Sequence, residues 1–126
     1  MQTILVCRTQ QGPTPEQVAD ALRREGYSAF VEVENGNPEI SPTAEIRYAP
    51  GRMPIIVSSC HDEGDIDYWE WMEELLPDEK DRKGIRRFIF VGAMENVDKK
   101  ALQVVVDYLR VQADATVISE KQTSKL

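Results

Sequence analysis

The sequence predicts an α+β domain built on a mixed β-sheet with its helices packed on one face. Three observations carry this expectation. Short apolar, β-branched runs alternate with segments of helical periodicity, the pattern of strands connected through helices. No composition shift, internal repeat or long linker divides the chain, and its 126 residues match the size of one domain. Hydrophobic residues make up 41% and charged residues 29%, enough of each to enclose a core and solvate its surface.

Thr3 to Cys7 is a β-branched run and reads as a buried strand. Arg8 to Pro13 is a polar loop. Thr14-Pro15-Glu16-Gln17 then opens a helix: Thr14 can cap, Pro15 suits the first helical position, and Gln17 completes a capping box. Val18, Ala21 and Leu22 give that helix a narrow apolar face, and Gly26 is placed to end it in a left-handed conformation. From Ser28 to Glu34, Ala29, Val31 and Val33 share one parity while Phe30 and Glu32 share the other, which predicts a strand. Asn35-Gly36-Asn37-Pro38 is turn chemistry. Glu45 to Tyr48 and Pro54 to Cys60 read as two strands joined through Ala49-Pro50-Gly51-Arg52, with the second more apolar and more central.

Asp65 to Leu76 has helical periodicity and Pro77 stops it. Asp78 to Gly84 reads as a charged loop, and Phe88 to Val91 as a buried strand bounded by Gly92. Asn96 is the expected cap of a helix from Val97 to about Val111, whose wide stripe of Ala101, Leu102, Val104, Val105, Tyr108 and Leu109 predicts deep burial. Ala115 to Ser119 is the last strand. The expected domain therefore spans residues 1–119, followed by a polar tail over residues 120–126. The order β-α-β-β-β-α-β-α-β, with right-handed crossovers, favours helices on one face in a ferredoxin-like arrangement.

Charge is distributed unevenly. Between Asp62 and Asp81 there are ten carboxylates and one lysine, a formal −9, whereas the whole chain carries −7. A pI near 4.7 speaks against nonspecific nucleic-acid binding, which needs a cationic face, and against docking on an anionic membrane. The first apolar run is too short for a signal-peptide core, and no stretch approaches the length of a membrane helix, so a cytoplasmic protein is expected. Cys7 and Cys60 both lie in apolar runs and are expected to be buried thiols in a reducing compartment. A disulfide would require their strands to be neighbours.

Cys60-His61-Asp62-Glu63 places a thiol, the only histidine and two carboxylates in succession. Adjacent strand residues diverge to opposite faces, and nearby carboxylates disfavour a thiolate, so nucleophilic chemistry is poorly served. Adjacent residues also rarely close one coordination sphere, and no metal site is assigned. The segment from Asp62 to Asp67 lacks the ligand register of a calcium loop. The loop Arg8 to Gly12 leads into a helix N-terminus but lacks the glycine spacing of a phosphate-binding fingerprint. No cofactor is expected.

The acidic helix is the most informative segment. At about 100° per residue, Tyr68, Trp69, Trp71, Met72, Leu75 and Leu76 cover an arc of about 160°, with the two indoles at opposite borders. Glu70, Glu73 and Glu74 fill the far side. Arg82, Lys83, Arg86 and Arg87 follow at once and read as a solvated loop and strand edge. The function expected from these features is a non-enzymatic interaction module, in its concrete form an acidic inhibitor or immunity-type protein that binds a basic partner protein. Trp69 and Trp71 would supply burial, and Glu70, Glu73 and Glu74 steering. The alternative is a small-molecule binder or enzyme with a pocket near Cys60 and His61. A homodimer seam on the same helix is a third expectation.

Overall fold

The computed structural model describes residues 2–9, 12–35, 43–61, 68–94 and 96–121. Strands β1 (Gln2–Cys7), β2 (Phe30–Asn35), β3 (Thr43–Arg47), β4 (Ile55–His61), β5 (Arg87–Gly92) and β6 (Ala115–Lys121) form one open sheet in the order β2-β3-β4-β5-β1-β6. Helices α1 (Pro15–Arg24), α2 (Tyr68–Leu75), the single turn α3 (Glu79–Arg82) and α4 (Lys99–Gln112) complete an α+β fold. Every neighbouring pair of strands is antiparallel, which corrects the expectation of a mixed sheet. α4 carries the chain from β5 past β1 to β6 and α1 carries it from β1 to the far edge at β2, whereas α2 and α3 join the direct neighbours β4 and β5.

The helices also lie on two faces and not on one. Leu5 and Cys7 of β1, Ile55 and Val57 of β4, and Ile89 and Val91 of β5 point into a core shared with Val18 and Leu22 of α1 and Leu102, Val105 and Leu109 of α4. The opposite parity, Ile4 and Val6 of β1 with Phe88 of β5, enters a second cluster with Tyr68 and Met72 of α2 and with Ile85. Successive strand side chains alternate between faces, so a strand apolar at every position must be covered twice. β1 is such a strand, buried from Thr3 through Cys7.

Local signals explain most helix ends. Thr14 accepts from the Gln17 N–H at 3.2 Å while the Gln17 side chain accepts from the Thr14 N–H at 2.8 Å, a closed capping box. At the other end of α1, Gly26 sits at φ +93. Its N–H donates to Arg23 O and the Tyr27 N–H donates to Leu22 O, which forms a Schellman motif. α4 begins two residues later than Asn96 predicts. Asp98 is the cap: its carboxylate accepts from Lys100 and Ala101 N–H at 2.9 and 3.3 Å, and its own N–H donates to the Tyr48 hydroxyl at 2.8 Å. Tyr27 also donates to the Asp98 carboxylate, at 3.0 Å, so one residue, through its carboxylate and its backbone N–H, ties together the end of α1, the end of β3 and the start of α4.

The segment expected to be a charged loop after Pro77 contains α3, capped by Asp78. β6 runs to Lys121, beyond the expected strand end at Ser119. The turn predicted over Gly36 to Pro38, the acidic residues from Asp62 to Asp67, and the tail from 122 to 126 lie outside the described residues. None of the helices among the described residues is long and apolar enough to cross a membrane.

Candidate functional site

α2 is short, and only one stripe of it is buried. Tyr68 and Met72, one turn apart, are sealed from solvent, while Leu75 and Leu76 are half-buried. The Tyr68 ring packs on Phe88 with centroids 5.2 Å apart, and its hydroxyl donates to Ile85 O at 3.1 Å. Arg82 closes the C-terminal end by donating to Leu76 O and Pro77 O at 2.8 and 2.9 Å. Carbonyls at a helix end have no partner within the helix, and a cation there opposes the dipole. Arg82 is thus engaged with backbone and not with the neighbouring carboxylates.

The flanks of that stripe are open. Trp69 is 59% exposed and Trp71 is 45% exposed. Each indole touches the body of the protein by an edge: Trp69 against Tyr68 at 5.3 Å, and Trp71 against Phe90 at 5.8 Å. Glu70, Glu73 and Glu74 are all exposed. None of them belongs to an ion pair among the described residues.

Of these carboxylates only Glu70, in the first turn, favours the helix dipole. Two lie in the last turn, at the negative end of the dipole, and α2 carries no basic residue there. Glu70 faces Glu73 and Glu74 at spacings of three and four, where like charges cost about 0.2–0.5 kcal/mol per pair. What they do create is a negative field at the rim of two exposed indoles.

The other sequence-derived candidates fall elsewhere. Cys60 lies on the face under α2 and packs against the second core. His61 is paired in register with Arg87 at the end of β4. Asp62 and Glu63 of the same tetrad lie outside the described residues, and no group of three or more potential metal ligands occurs among those that are described. Cys7 and Cys60 form no disulfide. β5 separates their strands and their side chains enter different cores, a geometry no disulfide can span.

In the loop after β1, the Thr9 hydroxyl donates to Ala113 O at 3.5 Å. An open cleft of about 590 Å³ lies between α1 and α4, lined by Gln17, Asp20, Arg23, Arg24 and Tyr108. Another, of about 330 Å³, lies between α4 and β6. Cys60 lines neither. In the first, Arg23 is held by Glu16 and Asp20, and Arg24 rests 5.8 Å from the centre of the Tyr108 ring.

Arg87 corrects the reading of the basic run as a loop and strand edge. It is buried in β5, flanked on both sides by β4 and β1. Burial pushes the Cys7 thiol, its neighbour on β1, upward from its ordinary value, and the Arg87 guanidinium opposes the shift. Nothing in the local sequence distinguishes Arg87 from Arg82, Lys83 and Arg86, none of which is buried.

Sequence reasoning also missed that half of the α2 face has no cover among the described residues. Ile56 is 42% exposed and Phe30 is 50% exposed, and among the described residues the second core takes nothing from β2 or β3. The unbroken apolar run Ile55-Ile56-Val57 was the available signal, since alternate parity places Ile56 opposite its neighbours.

Comparison with family models, with curated proteins and with solved structures gives no match.

Proposed function

We propose that the protein is a non-enzymatic interaction module that binds a basic partner protein through α2, in the manner of an acidic inhibitor or immunity-type protein. The observation that carries this reading is the pairing, on one short helix, of two substantially exposed indoles with three carboxylates that form no ion pair among the described residues. An exposed tryptophan gains most from burial at an interface. Carboxylates that strain their own helix lose that strain when a cationic surface arrives.

The strand order also supports a finer reading of the fold. β4, β5, β1 and β6 with α1 and α4 form a ferredoxin-like unit, to which β2 and β3 add an extension. A cytoplasmic location accords with the two cysteines outside any disulfide.

The test is kinetic. A partner retained on the immobilised protein at low salt and released at high salt is identified, and its association rate is measured with the wild type and with E70Q/E73Q/E74Q. The triple variant is expected to associate about tenfold more slowly at low salt, with a flatter salt dependence. Equal rates and equal salt slopes would remove steering from the proposal.

A further inference from the structure

Among the described residues, the sheet face that carries α2 is only half covered. Residues opposite each other in register share a face, so the pairings trace it: Cys60 beside Phe88 and Val6, Ser58 beside Phe90 and Ile4, and Ile56 beside Gly92 and Gln2. α2 lies over the first of these rows. Beyond it, Phe90 supports Trp71 at 5.8 Å and is itself half-buried. Ile56 lies diagonally next to Phe90, within reach of large side chains.

Gly92, level with Ile56, leaves a shallow depression. A side chain added there would meet only the Ile56 Cβ, at 4.0 Å. Trp71, Phe90 and Ile56 therefore form one apolar strip running from the helix onto bare sheet.

Charge lies at both ends of this strip. Glu74 follows Trp71 on the outer side of the helix, about 60° further round its axis. Glu45 pairs directly with Ile56 on β3, and like Glu74 it belongs to no ion pair among the described residues. From β5 to β3 the bare face spans about 10 Å, the width of one α-helix with its side chains.

We propose that the partner inserts a cationic amphipathic helix into this space beside α2. Its apolar stripe lies on Trp71, Phe90 and Ile56, and its Lys or Arg side chains reach Glu74 on one side and Glu45 on the other. The inference rests on the basic-partner reading above and makes it specific. Trp71, which leans over the sheet, is inside the footprint. Trp69, on the opposite border of α2, is outside it.

The probe is a Leu/Lys peptide of about 18 residues patterned as an amphipathic helix, compared with the same residues in scrambled order. Binding is followed by fluorescence anisotropy and by amide shifts of β4 and β5. The patterned peptide is expected to bind more tightly than the scrambled one. Ile56→Asp and Trp71→Ala should each weaken it about tenfold, and Trp69→Ala less than about twofold. Gly92→Val fills the depression, its Cβ meeting only the Ile56 Cβ at 4.0 Å, and should weaken binding as well.

A patterned peptide that binds no better than the scrambled one overturns the proposal. So does binding that Trp69→Ala abolishes while Ile56→Asp and Gly92→Val leave it intact; that result would restrict docking to α2 and leave the basic-partner reading standing. A concentration-dependent dimer dissolved by Ile56→Asp would replace the helix with a second copy of the chain.

Discussion

Removing a single oxygen from Tyr68 tests how α2 is held. The hydroxyl donates to Ile85 O at 3.1 Å within the second core, and Tyr68 is fully buried. Tyr68→Phe keeps the ring on Phe88 but deletes one hydrogen bond and leaves a buried carbonyl with less satisfaction. That combination costs about 1–2 kcal/mol, which corresponds to a fall in Tm of about 4–8 °C for a domain of this size. Met72→Ala, which vacates the other sealed position of the stripe, costs about 2–4 kcal/mol.

The protein supplies its own probes. Its two tryptophans, Trp69 and Trp71, are both on α2, so tryptophan emission reports that helix, whereas far-ultraviolet dichroism is dominated by α1 and α4. In urea, Tyr68→Phe is expected to lower the midpoint of both signals together with an unchanged m-value. Met72→Ala is expected to shift the emission transition ahead of the dichroism transition, because α2 loses half of its sealed contact while the larger core is untouched. If Tyr68→Phe matches the wild type to within about 0.3 kcal/mol, the hydrogen bond to Ile85 does not anchor the helix and the reasoning fails.

Two further predictions concern pH. Burial raises the Cys7 thiol above its unfolded value despite the opposing Arg87. The unfolded chain therefore releases this proton first, and stability that is complete below the unfolded pKa is lost as pH rises toward the folded one. Urea midpoints measured from neutral to alkaline pH should fall more steeply for the wild type than for Cys7→Ala, and parallel slopes would contradict this. Asp98 is held below the usual carboxylate range, first by the Tyr27 hydroxyl and then by the α4 N–H groups, against an opposing effect of desolvation. Its contribution is present above the unfolded pKa and disappears as pH falls through the folded one. Asp98→Asn should flatten the acid limb of the stability profile, and an unaltered limb would show that the carboxylate charge is not coupled to folding.

Some of this molecule was readable residue by residue. The capping box at Thr14 and Gln17, the left-handed Gly26, and the turn through Gly51 follow from groups only a few bonds apart, and they recur in the structure as expected. The α4 cap did not, although Asn96 and Asp98 are both competent capping residues. The choice was made by the Tyr27 and Tyr48 hydroxyls, which converge on Asp98 from 71 and 50 positions away. Arg87 tells the same story in reverse. Arg82, Lys83 and Arg86 just before it are not buried, and only its place between β4 and β1 buries it.

The sequence alone determined the number and type of the principal elements, the concentration of negative charge around α2, and the location of both indoles at the borders of its apolar arc. Periodicity and capping are local properties, and local chemistry suffices to set them. Which strands pair, which face each helix covers and how far the indoles are buried were decided by the tertiary structure. Those outcomes depend on apolar surfaces from distant parts of the chain meeting across the sheet. Tyr68 and Met72 meet their apolar partners on β1 and β5, and that placement, which no local signal specifies, leaves Ile56 of β4 exposed beside Trp71.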